Sequence, residues 1–281
     1  MYYTNINIKM KSDTDLNELV DKNIQLNYWL GSRVRGALIR ELSKISCIKD
    51  ELHCEECNAG IICPVKALFN RTENNTANPI VINNKIISNR EFNLDITLIE
   101  NAIIFREIIK DILIDGINID IKNIKLLFKA TDVRYKDDNE ICRVDKYKIS
   151  NKSYSKVKVN FKYPVRLQQS ATSLEFYDLI RVIMTRFRSI QRITKEEYTF
   201  DYKELLEEAK NIKIESININ RIDLHRYSSK HKKKMDAYCL VGDVTYSGDF
   251  SKFIDILNYG ELFNIGKWTS MGLGKMEVTY D

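Results

Sequence analysis

The pattern of hydrophobic and polar positions predicts a similar succession of strands and helices twice along the chain. In the first half, Ile6, Ile8 and Met10 alternate with polar residues, which is typical of a half-buried strand. The stretch YWLGSRVRGALIRELSKI carries apolar residues at three- and four-residue steps and predicts a helix. A strand from Phe92 to Leu98, a helix in NAIIFREIIKDILIDG and a strand in KNIKLLFKA complete the order β, α, β, α, β.

The second half repeats this plan. An alternating strand from Val157 to Tyr163 leads into a helix, and Thr172 and Glu175 have the capping-box spacing that predicts its start. A long strand, IKIESININRIDLH, follows, and its apolar phase slips near Ser216 and near Arg221, which predicts two bulges. DAYCLVGDVTYSG predicts another strand, DFSKFIDILNYG a short helix, and the last residues a final strand.

These elements predict an α+β fold of two tandem ferredoxin-like domains, each of the order βαββαβ, although one strand of the first domain is not identified. The expected first domain covers residues 1–135 and carries a cysteine-rich, metal-binding insertion at 47–63. A polar linker at 136–156 separates it from the second domain at 157–281. A chain of 281 residues is long enough for two separate cores.

Charge and hydropathy restrict the function. The net charge of +5 and the pI near 8.7 favour a polyanionic partner without establishing one. There is no run of eighteen apolar residues and no signal-peptide pattern, so we expect a cytoplasmic protein with no membrane partner.

Four of the six cysteines lie close together in the sequence. Cys47, Cys54, Cys57 and Cys63 are separated by six, two and five residues, and a C-x-x-C pair suits tetrahedral metal coordination. A structural zinc site is the favoured interpretation. An iron–sulfur cluster is the second, because Cys63 precedes a proline, and four free thiols are the third.

The C-terminal stretch NIGKWTSMGLGKMEV is rich in glycine and lysine. Its spacing fits neither a P-loop nor a dinucleotide-binding turn, since it leads into a strand instead of a helix. A loop with few side chains allows a ligand to approach its backbone. Trp268 in this loop either stacks on an unpaired base or packs the loop onto its own domain.

Four segments together carry a resemblance to a known family: RVRGALIREL, the cysteines that end in CPVKALF, HRYSSKHKKKM, and GELFNIGKWTSMGLGKMEV. They resemble the CRISPR precursor-RNA processing endoribonucleases of the RAMP superfamily, the Cas6 family. Asn264 replaces the first glycine of the family's loop, and asparagine tolerates left-handed backbone conformations. The resemblance implies metal-independent cleavage of repeat RNA by attack of the 2′-hydroxyl, which leaves a 2′,3′-cyclic phosphate and a 5′-hydroxyl.

The resemblance also implies roles for individual residues. The usual histidine base of the family lies in or near the first helix, where this sequence has none, so the candidates for catalysis are His225, His231, Tyr227 and Lys230, with Tyr28 as a further alternative. The expected RNA-binding residues are Arg33, Arg35, Arg40, Arg226, Lys232, Lys233, Lys234, Gly266, Lys267, Trp268, Gly272, Gly274 and Lys275. His53 lies inside the cysteine cluster and is interpreted as structural.

Other interpretations of these histidines and of the chain stay open. His225 fits the polar face of a sheet equally well, and His231 fits a solvated basic cluster. The alternative functions are a non-catalytic RAMP subunit that binds RNA in a CRISPR effector complex and, less favoured, a metal-stabilised DNA-binding module. The implied partners are CRISPR repeat RNA, other Cas proteins and a second copy of the chain.

Overall fold

The computed structural model of this chain describes residues 1–14, 24–47, 54, 57, 62–69, 76–121, 124–136, 140–145, 147–167, 174–194, 200–228 and 233–281. The chain divides into two compact units. The first comprises Met1–Asp145, Ser189–Glu196 and Ser270–Gly272, and the second comprises Lys146–Arg188, Glu197–Thr269 and Leu273–Asp281. No helix in these ranges has the length and apolar character needed to cross a bilayer.

The first unit contains one antiparallel sheet and the helices that cover it. Its elements are β1 (Tyr2–Lys11), α1 (Ile24–Ser46), α2 (Pro64–Phe69), β2 (Ile80–Ser88), β3 (Glu91–Ile99), α3 (Arg106–Asp115), β4 (Ile117–Ile121), β5 (Ile124–Tyr135) and β6 (Cys142–Arg143). The strand order is β2-β3-β1-β5-β4, and β6 pairs with β1. Ile6, Ile8 and Met10 of the central strand are buried, as their alternation predicts.

Three strands of this sheet, β2, β4 and β6, are missing from the sequence-based prediction. In β2 the five positions from Ile80 to Asn84 are all buried, so the alternation that reveals a half-exposed strand is absent. β4 alternates, but it is only five residues long and directly follows Gly116 at the end of α3. β6 lies within the segment predicted as a linker.

The second unit contains a four-stranded antiparallel sheet. Its elements are β7 (Lys156–Val165), α4 (Phe176–Gln191), α5 (Tyr202–Ala209), β8 (Lys213–Ser228), β9 (Lys233–Ser247), α6 (Ile254–Phe263) and β10 (Glu277–Tyr280). The strand order is β10-β7-β9-β8. Apart from α5, this is the chain order β-α-β-β-α-β, so the predicted α+β class with two sheets is confirmed.

The two bulges predicted in β8 have different outcomes. The register against β9 shifts between Ile214 and Ser216, which confirms the first. From Ser216 to Ser228 the register continues without a shift, so the bulge predicted near Arg221 is wrong. β8 is an edge strand, and its apolar residue Ile217 is exposed. The apolar positions of this strand therefore do not all belong to one buried face, and a change in their alternation does not require a bulge. Thr172 of the predicted capping box lies outside the described residues.

Candidate functional site

The hairpin of β8 and β9 carries the catalytic candidate His225, whose side chain is described. His225 on β8 lies directly opposite Asp236 on β9. Its Nδ1 is 2.6 Å from the carboxylate Oδ1 of Asp236, and both side chains are about half exposed, at 45% and 54%. The preceding residue Leu224 and its partner Ala237 are buried, so the pair lies on the solvent face of the hairpin.

Other polar residues occupy the same register face of this hairpin. Asp223 pairs with Tyr238, which is 81% exposed, and Tyr227 pairs with Lys234. Residues two apart on a strand share a face, so these two pairs flank His225 on both sides. By strand register, Tyr227 lies two residues from His225 on β8; its role stays a prediction.

The remaining candidates of this segment are only partly described. Arg226 pairs with Met235, and Lys233 and Lys234 are the first residues of β9. Lys230, His231 and Lys232 lie outside the described residues, as does His53. Their predicted roles stay predictions.

The three arginines predicted to bind RNA from α1 make contacts within the first unit. Arg33 donates from Nη1 to the carbonyl of Asp120. Arg40 donates to the carbonyl of Asn118 at 2.7 Å and lies 3.4 Å from the Asp120 carboxylate. Burial lowers the pKa of Arg33, and the charge of Asp120 opposes this shift. Both side chains therefore connect α1 to β4.

Arg35 has a similar internal role. Its Nη2 donates to the carbonyl of Phe69 at 3.2 Å, and its guanidinium lies 5.2 Å from the centre of the Phe69 ring. Phe69 is the last residue of α2, so Arg35 connects the two helices. Contacts of these three arginines with RNA stay a prediction, and the structure gives each of them a packing role.

The glycines of the C-terminal loop have positive φ angles, of 74° at Gly266, 92° at Gly272 and 83° at Gly274. A Cβ on Gly274 would lie 2.0 Å from the carbonyl oxygen of Ile265, and one on Gly266 would lie 2.5 Å from that of Arg166. These two positions therefore require glycine because the loop packs against its own chain.

Backbone hydrogen bonds hold this loop against the end of β7. Gly274 donates to the carbonyl of Pro164 at 3.0 Å, and Lys267 donates to that of Arg166 at 3.1 Å. Ile265 donates to Gly274 at 2.9 Å across the loop itself. Lys267 is exposed, so its side chain is available for the predicted RNA contact, while Lys275 is only partly exposed.

Asn264 has the positive φ expected of a residue in a glycine position, but its ψ differs from the expectation. Its φ of 57° and ψ of 165° lie outside the left-handed helical region that asparagine tolerates. The residue is fully buried, and its Nδ2 donates to the carbonyl of Leu273 at 3.0 Å. This hydrogen bond compensates for a conformation that glycine would adopt with less strain.

Trp268 is partly buried, and its ring already has a neighbour. The guanidinium of Arg166 lies 3.9 Å from the ring centre, which is a close cation–π contact. Of the two interpretations of Trp268, the structure therefore directly supports packing of the loop onto its own unit. Stacking on a base stays a prediction.

Residues 270–272 of the same loop belong to the first unit by their contacts. Asn78 donates to Ser270 Oγ at 3.1 Å. A Cβ on Gly31 of α1 would lie 2.8 Å from the Cα of Gly272, so the two backbones approach each other closely. Gly31 was not among the residues selected from the sequence, although a glycine inside a helical pattern is a signal of close packing.

Two of the four cysteines predicted to bind metal adjoin the ends of helices of the first unit. Cys47 directly follows α1, and Cys63 directly precedes α2. Ser46 Oγ is 3.8 Å from Cys63 Sγ, and Lys66 Nζ donates to the carbonyl of Cys57 at 2.6 Å. Within the described ranges, no three histidine, cysteine or carboxylate side chains are arranged as a metal site.

The sequence analysis also did not identify Asp236 as a site residue. Its role depends on the strand register, since eleven positions separate it from His225 along the chain. The turn between them contains no asparagine–glycine or similar pair that fixes a hairpin register from the sequence.

Comparisons with known proteins match a different family model to each half of the chain. Residues 159–276 match the family model of the CRISPR-associated endoribonuclease Cas6. Residues 13–150 match a second family model, which is described as an N-terminal domain. No curated protein sequence matches the chain significantly.

Three solved structures illustrate the likeness of the fold. Cas6 of Thermus thermophilus has a TM-score of 0.60 at 10% identity, over 99% of this chain and 98% of that chain. A Cas6 product complex has a TM-score of 0.56 at 10% identity, over 99% and 100%. A partial Cas6-RT-Cas1–Cas2 complex has a TM-score of 0.55 at 10% identity, over 100% of this chain and 46% of that chain.

Proposed function

We propose that this chain is a member of the Cas6 family of CRISPR-associated endoribonucleases, and that it binds CRISPR repeat RNA and cuts precursor crRNA into guide units. The match to the family model over residues 159–276 carries this conclusion. The arrangement of α+β sheets supports two tandem ferredoxin-like domains, the architecture of the family.

The reaction is a transesterification that needs no metal. The 2′-oxygen next to the scissile phosphate loses its proton to a base and bonds to the phosphorus. The bond from phosphorus to the 5′-oxygen breaks, and that oxygen receives a proton from an acid. The products are a 2′,3′-cyclic phosphate and a 5′-hydroxyl, so the protein has to supply a base, an acid and positive charge.

His225 is the base in this proposal. When its Nδ1–H donates to the Asp236 carboxylate, Nε2 carries the lone pair that accepts the 2′-hydroxyl proton. The carboxylate also stabilises the imidazolium that forms as the 2′-oxygen attacks. Asp236 thus acts as a positioning residue, and the 2.6 Å contact supports this assignment.

Tyr227 is the proton donor that the register favours. It occupies the next position along the same register face as His225, and it is paired with Lys234. In this proposal the phenol supplies a proton for the 5′-oxygen, and a lysine supplies positive charge for the phosphate. His231 and Lys230 stay alternatives for this role.

Other Cas proteins are further proposed partners. One of the similar structures is a complex whose name includes Cas1 and Cas2 together with Cas6. The fold likeness supports such an assembly for this chain, and a homodimer stays a separate prediction. Pull-down of tagged chain with Cas1 and Cas2 tests the first, and sedimentation analysis tests the second.

Cleavage of a repeat RNA in EDTA, with a second substrate that carries 2′-deoxyribose at the cut site, tests the function. We expect that EDTA does not affect cleavage and that the 2′-deoxy substrate is not cut. A chain that binds the repeat without cutting it would instead be the non-catalytic RNA-binding subunit.

Single-turnover rates at saturating enzyme then test the base, because saturation separates chemistry from binding. His225→Ala is expected to lower the rate by ~10²–10⁴-fold, as the loss of a general base does. His231→Ala is the matched control, and it should cut within a few-fold of the wild type. The opposite order of rates would make His231 the base, and two unimpaired variants would exclude histidine catalysis.

A further inference from the structure

Tyr238 is the most exposed large hydrophobic side chain among those that the structure describes, and the proposed mechanism gives it no role. It is 81% exposed, although an aromatic ring of this size is stabilised by burial. Ala237 and Cys239 on either side of it are buried, and its backbone pairs with Asp223 of β8. The strand therefore fixes the backbone of Tyr238, while its ring lies in solvent and is accessible to a ligand.

The strand register brings Tyr238 close to the proposed base. His225 lies opposite Asp236, and Tyr238 follows Asp236 by two residues on β9, so all three side chains lie on the same face of the hairpin. Tyr238 is thus the diagonal neighbour of His225 across the two strands. Diagonal neighbours are about 7–8 Å apart, a distance that an aromatic side chain spans. A nucleotide whose sugar reaches the imidazole can therefore place its base on the ring of Tyr238.

The hairpin carries different chemistry on the two sides of His225. Asp223 and Tyr238 lie on one side, and Tyr227 and Lys234 lie on the other. The attacking and leaving oxygens are in line through the phosphorus, so the base and the acid lie on opposite sides of the phosphate. With Tyr227 as the acid of the proposed mechanism, the leaving 5′-oxygen lies towards Tyr227 along the strand. The nucleotide that supplies the 2′-hydroxyl consequently lies towards Tyr238.

We propose that the ring of Tyr238 stacks on the base directly 5′ of the cut and so positions the 2′-hydroxyl of that nucleotide at His225. This role rests on the proposed function, in which His225 is the base. Every nucleobase has a face on which an aromatic ring stacks, so the contact fixes the nucleotide without reading its identity. A tyrosine side chain has only two rotatable bonds to order, which makes it a rigid platform.

The stack contributes to the rate of cleavage as well as to binding. Removal of one stack between a base and an aromatic ring weakens binding of single-stranded RNA by about 5–150-fold. The loss of a contact that only holds the RNA disappears from the rate when the enzyme is saturating. Because Tyr238 holds the 2′-hydroxyl in the attacking position, its loss should also lower the rate at saturation.

Single-turnover cleavage by the wild type, Tyr238→Ala and Tyr238→Phe tests this role. The substrates are the repeat RNA and the same RNA with an abasic site directly 5′ of the mapped cut. On the intact RNA at saturating enzyme, Tyr238→Ala should lose about fivefold or more in rate, and Tyr238→Phe should keep the wild-type rate because it keeps the ring. On the abasic RNA all three proteins should cut equally slowly, because no base is left to stack.

Ile217→Ala is the matched control. It removes another exposed apolar side chain from the same hairpin, away from His225. We expect it to cut both RNAs at the wild-type rates. Exchange of the base 5′ of the cut for a different base should also change the wild-type rate little, because stacking tolerates every base.

Equal rates for Tyr238→Ala and the wild type on the intact RNA would overturn this role, and so would a loss of the same size on both RNAs, which indicates a structural effect. A loss that Tyr238→Phe shares would assign the effect to the hydroxyl and not to the stack. A wild type that cuts the abasic RNA as fast as the intact RNA gives the same negative answer without any variant, so the test does not depend on how a variant folds. In each of these cases cleavage by the wild type leaves the proposed function standing, whereas a wild type that cuts no RNA overturns both.

Discussion

Gly274→Ala provides a quantitative test of how the C-terminal loop is built. An added Cβ would lie 2.0 Å from the carbonyl oxygen of Ile265, so this carbonyl has to retreat by about 1 Å to relieve the overlap. The φ of 83° costs a non-glycine residue about 1–2 kcal/mol. Weakening the hydrogen bond from Ile265 N–H to the Gly274 carbonyl costs about 0.5–1.5 kcal/mol more. The expected loss in free energy of unfolding is about 2–3 kcal/mol.

Equilibrium unfolding in urea measures this loss. With an m-value of about 1–3 kcal/mol/M, the midpoint should fall by roughly 1 M. The two tryptophans suit the assay, since Trp268 lies in the loop and Trp29 lies in α1 of the other unit. The lower urea midpoint should appear in the unfolding transition that the fluorescence of Trp268 follows.

Gly36→Ala is the matched control. Gly36 lies inside α1, and the nearest atom to its added Cβ is Arg40 Nη1 at 3.9 Å. Alanine there should stabilise the helix by about 0.5–1 kcal/mol. An unchanged midpoint for Gly274→Ala, or an equal loss in both variants, would refute the reasoning from loop geometry.

Three further predictions concern charge and protonation. Asp236→Asn should lower the single-turnover rate, and adding it to His225→Ala should cause no further loss, because the carboxylate acts through the imidazole; additive losses would contradict a positioning role. Alanine at Lys232, Lys233 and Lys234 together should weaken binding of repeat RNA and reduce its salt dependence, and an unchanged slope of log K against log salt would make the run merely solvated. Burial raises the pKa of Cys239 to about 11, so its contribution to stability is complete below the unfolded thiol pKa of about 8.5 and is lost as the pH rises towards 11. Cys239→Ala should therefore lose less stability than the wild type over that pH range in urea titrations.

The sequence predicts those parts of the fold where one face of an element is buried. The alternation in β1 and the helical spacing in α1 correspond directly to their buried residues. β2 escapes this reasoning because five consecutive positions, including two asparagines, are buried. The phase slip at Arg221 misleads for the opposite reason, since an edge strand also exposes apolar residues.

The candidate site is less predictable because its contacts depend on register and on neighbouring elements. Arg33 and Arg40 form a basic flank in the sequence, but they donate to carbonyls of β4, a strand that the sequence analysis did not identify. Asp236 becomes a partner of His225 only through the pairing of β8 with β9. The residue types thus indicate the chemistry, and the fold decides which of them meet.

The length of the β8–β9 hairpin has a consequence for the timing of catalysis. The pairing of β9 with β7 reaches only to Leu240, whereas its pairing with β8 continues to Lys233. Within the described strands, the segment that carries the His225–Asp236 pair is therefore bonded as a two-stranded ribbon, and such ribbon ends open more often than the centre of a sheet. In the proposed mechanism, an opened ribbon separates the imidazole from its carboxylate, so the observed rate is the intrinsic rate multiplied by the fraction of closed molecules. Cross-strand substitutions that stabilise the closed ribbon should raise the observed rate without changing any group that touches the RNA.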